Sequence, residues 1–362
     1  MNDLFILSNA RCYGGAEKSL ETILPELEKE FNIYIFIEND SHYSAIKEMG
    51  LKNTKIIIMQ KGKNIVSTIV NINKIKNLIS TLNEMPYFLT NTRNGAIYLA
   101  ILSMIKHIDY DKTIIYVRDY LWKYKRIVFG ILKKAHFAIP TKAILDRTGY
   151  LDKYIKKERV HVTLNAIRFS NEIMKNKTKK YILNLANFSE WKGQIYLIKA
   201  FEKSNLAQEG FKLHICGAIH EEKCFEKINQ YIKEHKMDDD IEISTFTNDT
   251  SNLYNESQFV VVSSIGDYGG PETFGRTIIE AWSHRKTVIA FDVGGPSYII
   301  ESGVNGILVP EKDIVSLASS MCDLAFDNNY RNTLAQNGFE KSKLEYTPRK
   351  VVDRLLKIWI ET

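Results

Sequence analysis

Short apolar runs of strand length alternate with longer stretches of helical period along almost the whole of the 362-residue chain. The first run is Leu4–Ser8, and Ala16–Glu30 follows it with Leu20, Leu24 and Leu27 on one helical face. Strands that are joined by helical crossovers pair in parallel, and the helices then cover both faces of the sheet. The alternation therefore predicts an α/β protein built on doubly wound parallel sheets.

The predicted strands form two groups, and the polar, lysine-rich segment Arg168–Lys180 lies between them. The first group comprises Leu4–Ser8, Ile33–Ile37, Lys55–Met59, Tyr87–Thr90, Thr113–Val117, Phe137–Pro140 and Val160–Thr163. The second group comprises Tyr181–Ala186, Lys212–Cys216, Ile241–Ile243, Phe259–Val262, Thr287–Phe291 and Ile307–Val309. Because the length suits two hydrophobic cores, we expect two Rossmann-like domains of similar size with a cleft between them.

Charge is distributed unevenly between the two halves of the chain. Residues 1–170 contain 26 lysines and arginines against 16 aspartates and glutamates, whereas residues 171–362 contain 23 against 27. A basic first half favours an anionic partner. No nucleic-acid motif is present, so an anionic membrane surface or a lipid-phosphate acceptor fits better than nucleic acid. The chain shows no signal peptide and no run of membrane-spanning length, so we expect a cytoplasmic location.

The segment from Phe259 to Val309 carries the clearest chemical signal. Glu272 and Glu280 stand eight positions apart, with a strand run before them, a helical pattern between them and a second strand run after them. The predicted helix start at Thr273, Phe274 and Gly275 would expose backbone N–H groups that suit phosphate, while the carboxylates suit sugar hydroxyls. This combination indicates a nucleotide-sugar site, although a surface helix with an Arg276–Glu280 ion pair would explain part of the pattern.

Two further motifs follow predicted strands. Gly14 and Gly15 open the first helix, where glycine lets a ligand approach the backbone, although a plain tight turn explains them equally well. Lys192, in Trp191-Lys192-Gly193, follows the first strand of the second half. A lysine at the carboxyl end of a parallel strand suits a diphosphate, whereas the alternative is a solvated loop lysine.

A mixture of aromatic and basic residues extends from Tyr120 to Lys134. An amphipathic helix of this composition lies well on an anionic membrane, and an ordinary basic helix with one buried face is the equal alternative. The run Asp238–Asp240 precedes a strand, so we interpret it as a turn and not as a metal site.

Five segments occur in an order that is typical of one family. They are GGAEKSL near the start, VTLNAI before the linker, LANFSEWKGQIYLIKAF, LHICG, and PETFGRTIIEAW followed by FDVGGPSYIIESGVNGILV. By these segments the chain, from Gly14 to about Leu344, resembles glycosyltransferase family 4, the retaining sugar transferases of GT-B architecture. The resemblance implies an acceptor-binding domain at residues 1–170, a donor domain at residues 171–346, and a final helix, residues 347–362, that packs back on the first domain.

The resemblance also implies roles for individual residues. Glu272 would contact the donor sugar near the reacting carbon, and Lys192 would neutralise the diphosphate leaving group without a metal ion. Glu280 would bind the ribose hydroxyls. The remaining donor contacts would come from the glycines and helix-start residues of the matching segments, namely Gly15, Gly217, Thr273, Phe274 and Gly275.

Two positions depart from the family pattern. Asn187 stands where the family usually has an arginine that contacts the diphosphate, and Arg276 is a candidate to supply the missing charge. Arg118, followed by Asp119, stands where the family often has a histidine close to the reacting sugar. Arginine stays protonated and cannot act as a base, so Arg118 would hold a phosphate or a donor carboxylate instead.

The resemblance predicts transfer of a hexose or N-acetylhexosamine from a nucleotide diphosphate sugar, with retention, to a lipid-linked or growing bacterial surface glycan such as lipopolysaccharide. It predicts no cofactor, no metal and, at most, peripheral contact with the cytoplasmic face of the inner membrane. Two alternatives stay open at this point. One is a non-catalytic binding or scaffold protein of the same fold, and the other is a nucleotide-sugar epimerase.

Overall fold

The structure is a computed structural model that describes residues 1–10, 13–62, 64–122, 124–149, 151–169, 178–245, 247 and 249–360. The chain divides into two compact units, of which the first comprises residues 1–166 with 347–362 and the second comprises residues 167–346. Most of the predicted linker, Arg168–Lys180, lies outside the described residues. Each unit contains one fully parallel sheet, so the predicted α/β fold with two parallel-sheet domains is confirmed.

The first unit is built on a seven-stranded parallel sheet with the order β3-β2-β1-β4-β5-β6-β7. Its strands are β1 (Asn2–Ser8), β2 (Phe31–Ile37), β3 (Thr54–Ile58), β4 (Tyr87–Thr90), β5 (Thr113–Tyr116), β6 (His136–Ile139) and β7 (Val160–Val162). Its helices are α1 (Gly15–Leu27), α2 (Asp40–Glu48), α3 (Ile65–Ile79), α4 (Arg93–Met104), α5 (Lys125–Leu132), α6 (Ala143–Thr148), α7 (Leu151–Tyr154) and the last helix of the chain (Pro348–Ile360).

Alternate residues of β1 divide the core of the first unit into two layers. Leu4 and Ile6 face one layer with α1 and the last helix, while Phe5 and Leu7 face the other layer with α3, α4 and α5. Trp359 of the last helix packs its ring 5.3 Å from that of Phe31, so this helix completes the first layer.

The second unit is built on a six-stranded parallel sheet with the order β10-β9-β8-β11-β12-β13. Its strands are β8 (Tyr181–Leu185), β9 (Lys212–Cys216), β10 (Ile241–Ser244), β11 (Ser257–Val262), β12 (Thr287–Phe291) and β13 (Ile307–Val309). Its helices are α8 (Gln194–Ser204), α9 (Glu222–Glu234), α10 (Thr250–Glu256), α11 (Arg276–Ser283), α12 (Pro296–Ile299), α13 (Ile314–Phe326) and α14 (Asn328–Glu345), so the last helix is α15.

The predicted strands agree with the observed ones to within one or two residues. Strands β1, β2 and β11 each begin two residues before their predicted starts. At the start of β11, Ser257 joins the sheet although it is polar, because its backbone pairs with Tyr181. Among the described helices, none is both long enough and apolar enough to cross a membrane.

Candidate functional site

The strand order of the second sheet reverses at its centre, between β8 and β11. Ligands of open α/β sheets bind outside the carboxyl ends of the strands at such a point. The loop after β8 carries Lys192, and the loop after β11 carries Glu272. Two residues that are 80 positions apart in sequence therefore reach the same part of the sheet edge.

Lys192 is held in place by the backbone and by an aromatic ring. It ends a short 3₁₀ turn, Glu190–Lys192, and Gly193 follows with φ of +63°. A Cβ atom at Gly193 would lie 2.1 Å from the carbonyl oxygen of Ser263, so only glycine permits this approach to the loop after β11. The hydroxyl of Ser263 donates to the Lys192 carbonyl at 2.9 Å, and the Lys192 ammonium lies 3.8 Å from the centre of the Trp191 ring. The amine thus has a fixed direction.

Glu272 receives the Lys192 amine in an ion pair. The Ser264 hydroxyl donates to the same carboxylate oxygen at 3.2 Å. The side chains of Lys192 and Glu272 are 15% and 20% exposed, so the pair is shielded but reaches solvent. The arrangement places one cation and one carboxylate at the edge of the sheet, where a charged ligand can separate them.

The Gly294–Gly295 pair shapes the loop that carries Glu272. The Gly295 N–H donates to the Glu272 carbonyl at 2.7 Å. A Cβ atom at Gly295 would lie 2.4 Å from the backbone nitrogen of Phe274, so the two backbones touch directly. This contact explains why the sequence needs small residues after β12, and it fixes the peptide groups that precede α11.

Helix α11 begins at Arg276, with Gly275 as its N-cap at φ of +93°. The predicted helix start comprised Thr273, Phe274 and Gly275, and the observed helix begins directly after them, with Glu272 in the loop that precedes it. The side chain of Phe274 is buried and packs against Tyr346 with ring centres 5.8 Å apart.

Glu280 lies in the second turn of α11 and forms two bonds. Arg276 donates from Nε to Oε1 at 2.8 Å, and the Tyr254 hydroxyl donates to Oε2 at 3.0 Å. The ion pair considered in the sequence analysis is therefore present. The Glu280 side chain is 22% exposed, so its carboxylate is open on one side.

Asn187 and Gly217 meet at the carboxyl ends of β8 and β9. A Cβ atom at Gly217 would lie 2.1 Å from the Ala186 carbonyl oxygen, so the two loops are in direct contact. The Asn187 side chain accepts from the Ala218 N–H at 3.3 Å and lies 3.3 Å from His220 Nε2. Asn187 thus links two loops. It places a neutral amide at the position where the family named in the resemblance usually has an arginine.

The carboxyl edge of the first sheet carries a continuous chain of polar groups. Glu21 Oε1 lies 2.6 Å from His42 Nδ1, and His42 Nε2 lies 3.2 Å from the Ser8 hydroxyl. Asn91 donates to Ser8 Oγ at 3.2 Å and accepts from Arg118 Nε at 3.0 Å. Ser8 and His42 are fully buried, so these groups satisfy each other inside the unit.

Arg118 and Asp119 follow β5 at this edge. Arg118 also donates from Nη1 to Asn165 Oδ1 at 2.6 Å, and its guanidinium lies 4.0 Å from the centre of the Tyr116 ring. Asp119 forms an ion pair with Arg93 at 3.3 Å. The two residues therefore have different surroundings, since Arg118 is held by amides and Asp119 by an exposed arginine.

Gly15 is the first residue of α1, and no described atom lies within 4 Å of the position of a Cβ there. Its neighbour Gly14 donates its N–H to Glu17 Oε2 at 3.0 Å, and burial raises the pKa of the Glu17 carboxyl. An acidic side chain therefore already caps the helix start to which the resemblance assigned a donor phosphate.

Several polar residues at these edges carried no signal in the sequence. Ser8, Glu21, His42, Asn91 and Asn165 are isolated polar residues, and only the fold brings them together. Tyr254 likewise belongs to an ordinary helical pattern before a strand. The sequence pattern predicts which element each of these residues lies in, but it does not predict which of them form hydrogen bonds with each other.

Comparison with known proteins finds a family model that matches part of the chain. Residues 166–341, which lie almost entirely within the second unit, match the family model described as Glycosyl transferases group 1. The matched range covers the loops of Lys192 and Glu272 and the whole of α11.

Individual relatives are more distant. An uncharacterized glycosyltransferase of Methanocaldococcus jannaschii is 28% identical over 227 residues, which cover 60% of this chain and 60% of that protein. The lipopolysaccharide core biosynthesis glycosyltransferase LpsE of Rhizobium meliloti is 26% identical over 87 residues, which cover 24% of this chain and 26% of LpsE. The chain therefore spans less than two thirds of the length of these curated relatives.

Among solved structures, Anabaena HepE in complex with UDP has a TM-score of 0.83 to this chain at 18% identity, and all of each chain is covered. A likeness at this identity shows the fold. The predicted GT-B architecture, with its two Rossmann-like parallel-sheet domains, is thereby confirmed.

Proposed function

We propose that this chain is a retaining glycosyltransferase of family 4 that moves a hexose or N-acetylhexosamine from a nucleotide diphosphate sugar to a lipid-linked or growing surface glycan. The observation that carries the proposal is the Lys192–Glu272 ion pair beside the start of α11, inside the range that matches the Glycosyl transferases group 1 model. The shielded amine and carboxylate lie at the switch point of the sheet, where ligands of open α/β folds bind, and this position favours a ligand-binding site over a scaffold.

In this proposal the bound donor breaks the Lys192–Glu272 ion pair, and each of the two side chains then bonds to the donor instead. The diphosphate takes the Lys192 amine and the N–H groups of Phe274 and Gly275, and Glu272 is released to accept from sugar hydroxyls. The ribose hydroxyls bind the exposed side of the Glu280 carboxylate. The local positive charge comes from Lys192, Arg276 and the helix start, so the leaving group is stabilised without a metal ion.

The chemical step is a displacement at the anomeric carbon. The bond from this carbon to the phosphate oxygen breaks, and the acceptor hydroxyl forms its new bond on the same face. A donor phosphate oxygen takes the hydroxyl proton, so no side-chain base is required, in keeping with an arginine at position 118. Proton NMR of the product, which reports the anomeric configuration, tests retention directly.

We assign acceptor binding to the first unit. The carboxyl edge of its sheet presents Arg118 and Asp119 above the buried polar chain, and the first half of the sequence is basic. A guanidinium held by two amides keeps its full charge, which suits a phosphate of a lipid-linked acceptor. The polar chain beneath it keeps the loops in one conformation.

We also propose that the first unit contacts the cytoplasmic face of an anionic membrane. Helices α3, α4 and α5 cover one face of its sheet, and together they contain five lysines and arginines but no acidic residue. Apolar side chains on this layer are at least half exposed at Ile65, Val66, Ile69, Leu121 and Ile127. Apolar side chains within a basic surface match the requirements of an anionic bilayer interface.

Vesicle sedimentation tests the membrane contact. The chain should pellet with phosphatidylglycerol vesicles and stay in the supernatant with phosphatidylcholine vesicles. Changing Ile65, Val66 and Ile69 to serine together should abolish pelleting. The matched control changes Val315 and Phe326 of α13, which are each 60% exposed, to serine. Equal recovery with both kinds of vesicle contradicts the proposal.

Isothermal titration with UDP and GDP tests the donor site. We expect one of them to bind to the wild-type chain, and Glu280→Ala should weaken its affinity about tenfold or more, since charge-assisted bonds to the ribose are lost. The control is Glu202→Ala, which removes a hydrogen-bonded glutamate from α8. Failure of both nucleotides to bind at millimolar concentration favours the scaffold alternative, and turnover of a nucleotide sugar without acceptor favours the epimerase.

A further inference from the structure

Two side chains donate hydrogen bonds to the carboxylate of Glu280, one to each oxygen. Arg276 Nε donates to one oxygen at 2.8 Å, and the phenol of Tyr254 donates to the other at 3.0 Å. Tyr254 lies in α10 and is 1% exposed, so its ring is part of the interior. A carboxylate has about four lone-pair positions, and these bonds leave one position on each oxygen for a ligand.

Tyr254 is itself fixed by His284, the residue that directly follows α11. The two rings stack with centres 4.9 Å apart and planes 23° apart. His284 Nδ1 lies 2.9 Å from the Glu280 carbonyl oxygen, and since a carbonyl only accepts, Nδ1 carries the proton. Burial lowers the pKa of His284 and raises that of Tyr254, so the imidazole stays neutral and the phenol keeps the proton that it donates.

We propose that Tyr254 and His284 form a positioning pair that holds the Glu280 carboxylate in register for a ribose diol. This inference rests on the proposed function, because it assigns the open side of Glu280 to the nucleotide. A glutamate on a helix surface samples several rotamers, and ordering it on binding costs free energy. The buried phenol orders it beforehand, so the two remaining lone pairs face the two adjacent hydroxyls of ribose.

A second Tyr–His–Glu cluster in the same unit provides an internal comparison. Tyr231 donates to Glu202 Oε2 at 2.6 Å and stacks on His235 with ring centres 3.9 Å apart. His235 Nδ1 lies 2.6 Å from Glu202 Oε1. This cluster joins the last turns of α8 and α9, and its carboxylate is bonded at both oxygens by the cluster itself. The same phenol–carboxylate bond is therefore present where no ligand is assigned.

Nucleotide binding with and without the ribose hydroxyls tests the proposal. Affinities of UDP, GDP and their 2′,3′-dideoxy counterparts are measured by titration for the wild-type chain and for Tyr254→Phe. The wild-type chain should prefer the ribonucleotide, and Tyr254→Phe should weaken ribonucleotide binding by about fivefold to tenfold while leaving dideoxynucleotide binding unchanged. The ratio between the two affinities, unlike either affinity alone, does not respond to a general loss of structure.

Three further variants complete the test. In a Glu280→Gln background, Tyr254→Phe should cause no further loss, and Tyr231→Phe should leave every affinity unchanged. His284→Leu, which removes the stacked ring at a distance from the carboxylate, should shift the ratio in the same direction if Tyr254→Phe does not fold.

Two outcomes overturn the inference. The first is an unchanged ratio in Tyr254→Phe, which excludes a positioning role and, where both affinities fall equally, assigns Tyr254 to structure alone. The second is a wild-type chain that binds no nucleotide or does not distinguish ribose from dideoxyribose. That result contradicts the proposed function, and this inference fails with it.

Discussion

The carboxyl edges of the two parallel sheets are built in different ways. At the second edge, charged side chains form two short pairs, Lys192–Glu272 and Arg276–Glu280, whose members are 15–22% exposed. At the first edge, a longer chain of groups is buried, and His42 at its centre has no exposed surface. A shielded pair that reaches solvent can exchange a partner for a ligand, whereas the buried groups of the longer chain hold its loops together. The comparison separates the edge where we propose donor binding from the edge whose buried groups position the loops of the proposed acceptor site.

Glycine marks the same division. At the second edge, Gly193, Gly217 and Gly295 each lie so close to a neighbouring backbone that a Cβ atom would overlap it. At the first edge, the position of a Cβ on Gly15 is surrounded by open space among the described residues. These three glycines of the second unit are therefore required by its internal packing, whereas the described residues leave room for a side chain at Gly15.

The largest expected effect comes from removing the amine at the second edge. Lys192→Ala should lower kcat for sugar transfer by about 10²–10³-fold, because the departing diphosphate loses a preorganised charge. The control is Lys179→Ala, since Lys179 pairs with Glu256 at 2.8 Å near the opposite end of β8. Steady-state turnover of the nucleotide sugar that binds is the measurement. Equal activity of both variants would remove Lys192 from the mechanism.

Breaking the buried chain at the first edge should affect stability instead. His42→Ala removes one buried hydrogen-bond partner from Ser8 and one from Glu21 and leaves a gap where the ring was, which should cost about 2–3 kcal/mol of unfolding free energy. His235→Ala is the matched control, because it also breaks a 2.6 Å bond to a glutamate but the side chain is 37% exposed. Its loss should stay below about 0.5 kcal/mol. Denaturant unfolding followed by circular dichroism compares the two, and similar losses would contradict the distinction.

Two glycine variants distinguish an effect on packing from an effect on binding, and we expect both effects to be smaller than those above. Gly295→Ala forces the Phe274 backbone to move, so it should lower both thermal stability and nucleotide affinity. Gly15→Ala has room for its methyl group and should change stability by less than about 0.5 kcal/mol. If the donor phosphate approaches Gly15, as the resemblance implies, nucleotide-sugar affinity should still fall. A stable Gly15→Ala chain with unchanged affinity would show that the donor binds without this helix.

A further expected effect is a pH dependence that belongs to neither edge. His136 opens β6 at the amino end of the first sheet and accepts from Arg159 at 2.8 Å, and burial lowers the pKa of His136 to about 4. The unfolded chain protonates this ring near its ordinary pKa of 6.5, so its contribution to stability is complete above pH 6.5 and declines as the pH falls towards 4. In His136→Gln the free energy of unfolding should depend less on pH over this range, and His107→Gln is the control. An unchanged pH profile would refute the assignment to His136.

The sequence determined the sheets well because their signal is local and repeated. Strands such as Lys212–Cys216 and Thr287–Phe291 agree with the structure residue for residue, since apolar runs bounded by polar turns have little freedom. The polar start of β11 at Ser257 was missed, because its place in the sheet depends on pairing with Tyr181 and not on its own side chain.

The candidate site was only partly predictable for a related reason. Lys192 and Glu272 each follow a strand, so parallel topology already places both at one edge. Their direct pairing depends on the Gly193 backbone and the Trp191 ring, which no sequence period encodes. The positioning of Glu280 by Tyr254 is equally invisible, because a buried tyrosine in a short helix resembles any other core residue.

The most direct test of the account is a crystal structure of the chain with UDP or GDP, whichever binds in titration. We predict that the diphosphate lies on the N–H groups of Phe274 and Gly275, that Lys192 turns away from Glu272 towards it, and that both ribose hydroxyls lie on Glu280. A nucleotide bound elsewhere, with the Lys192–Glu272 pair intact, would contradict the account.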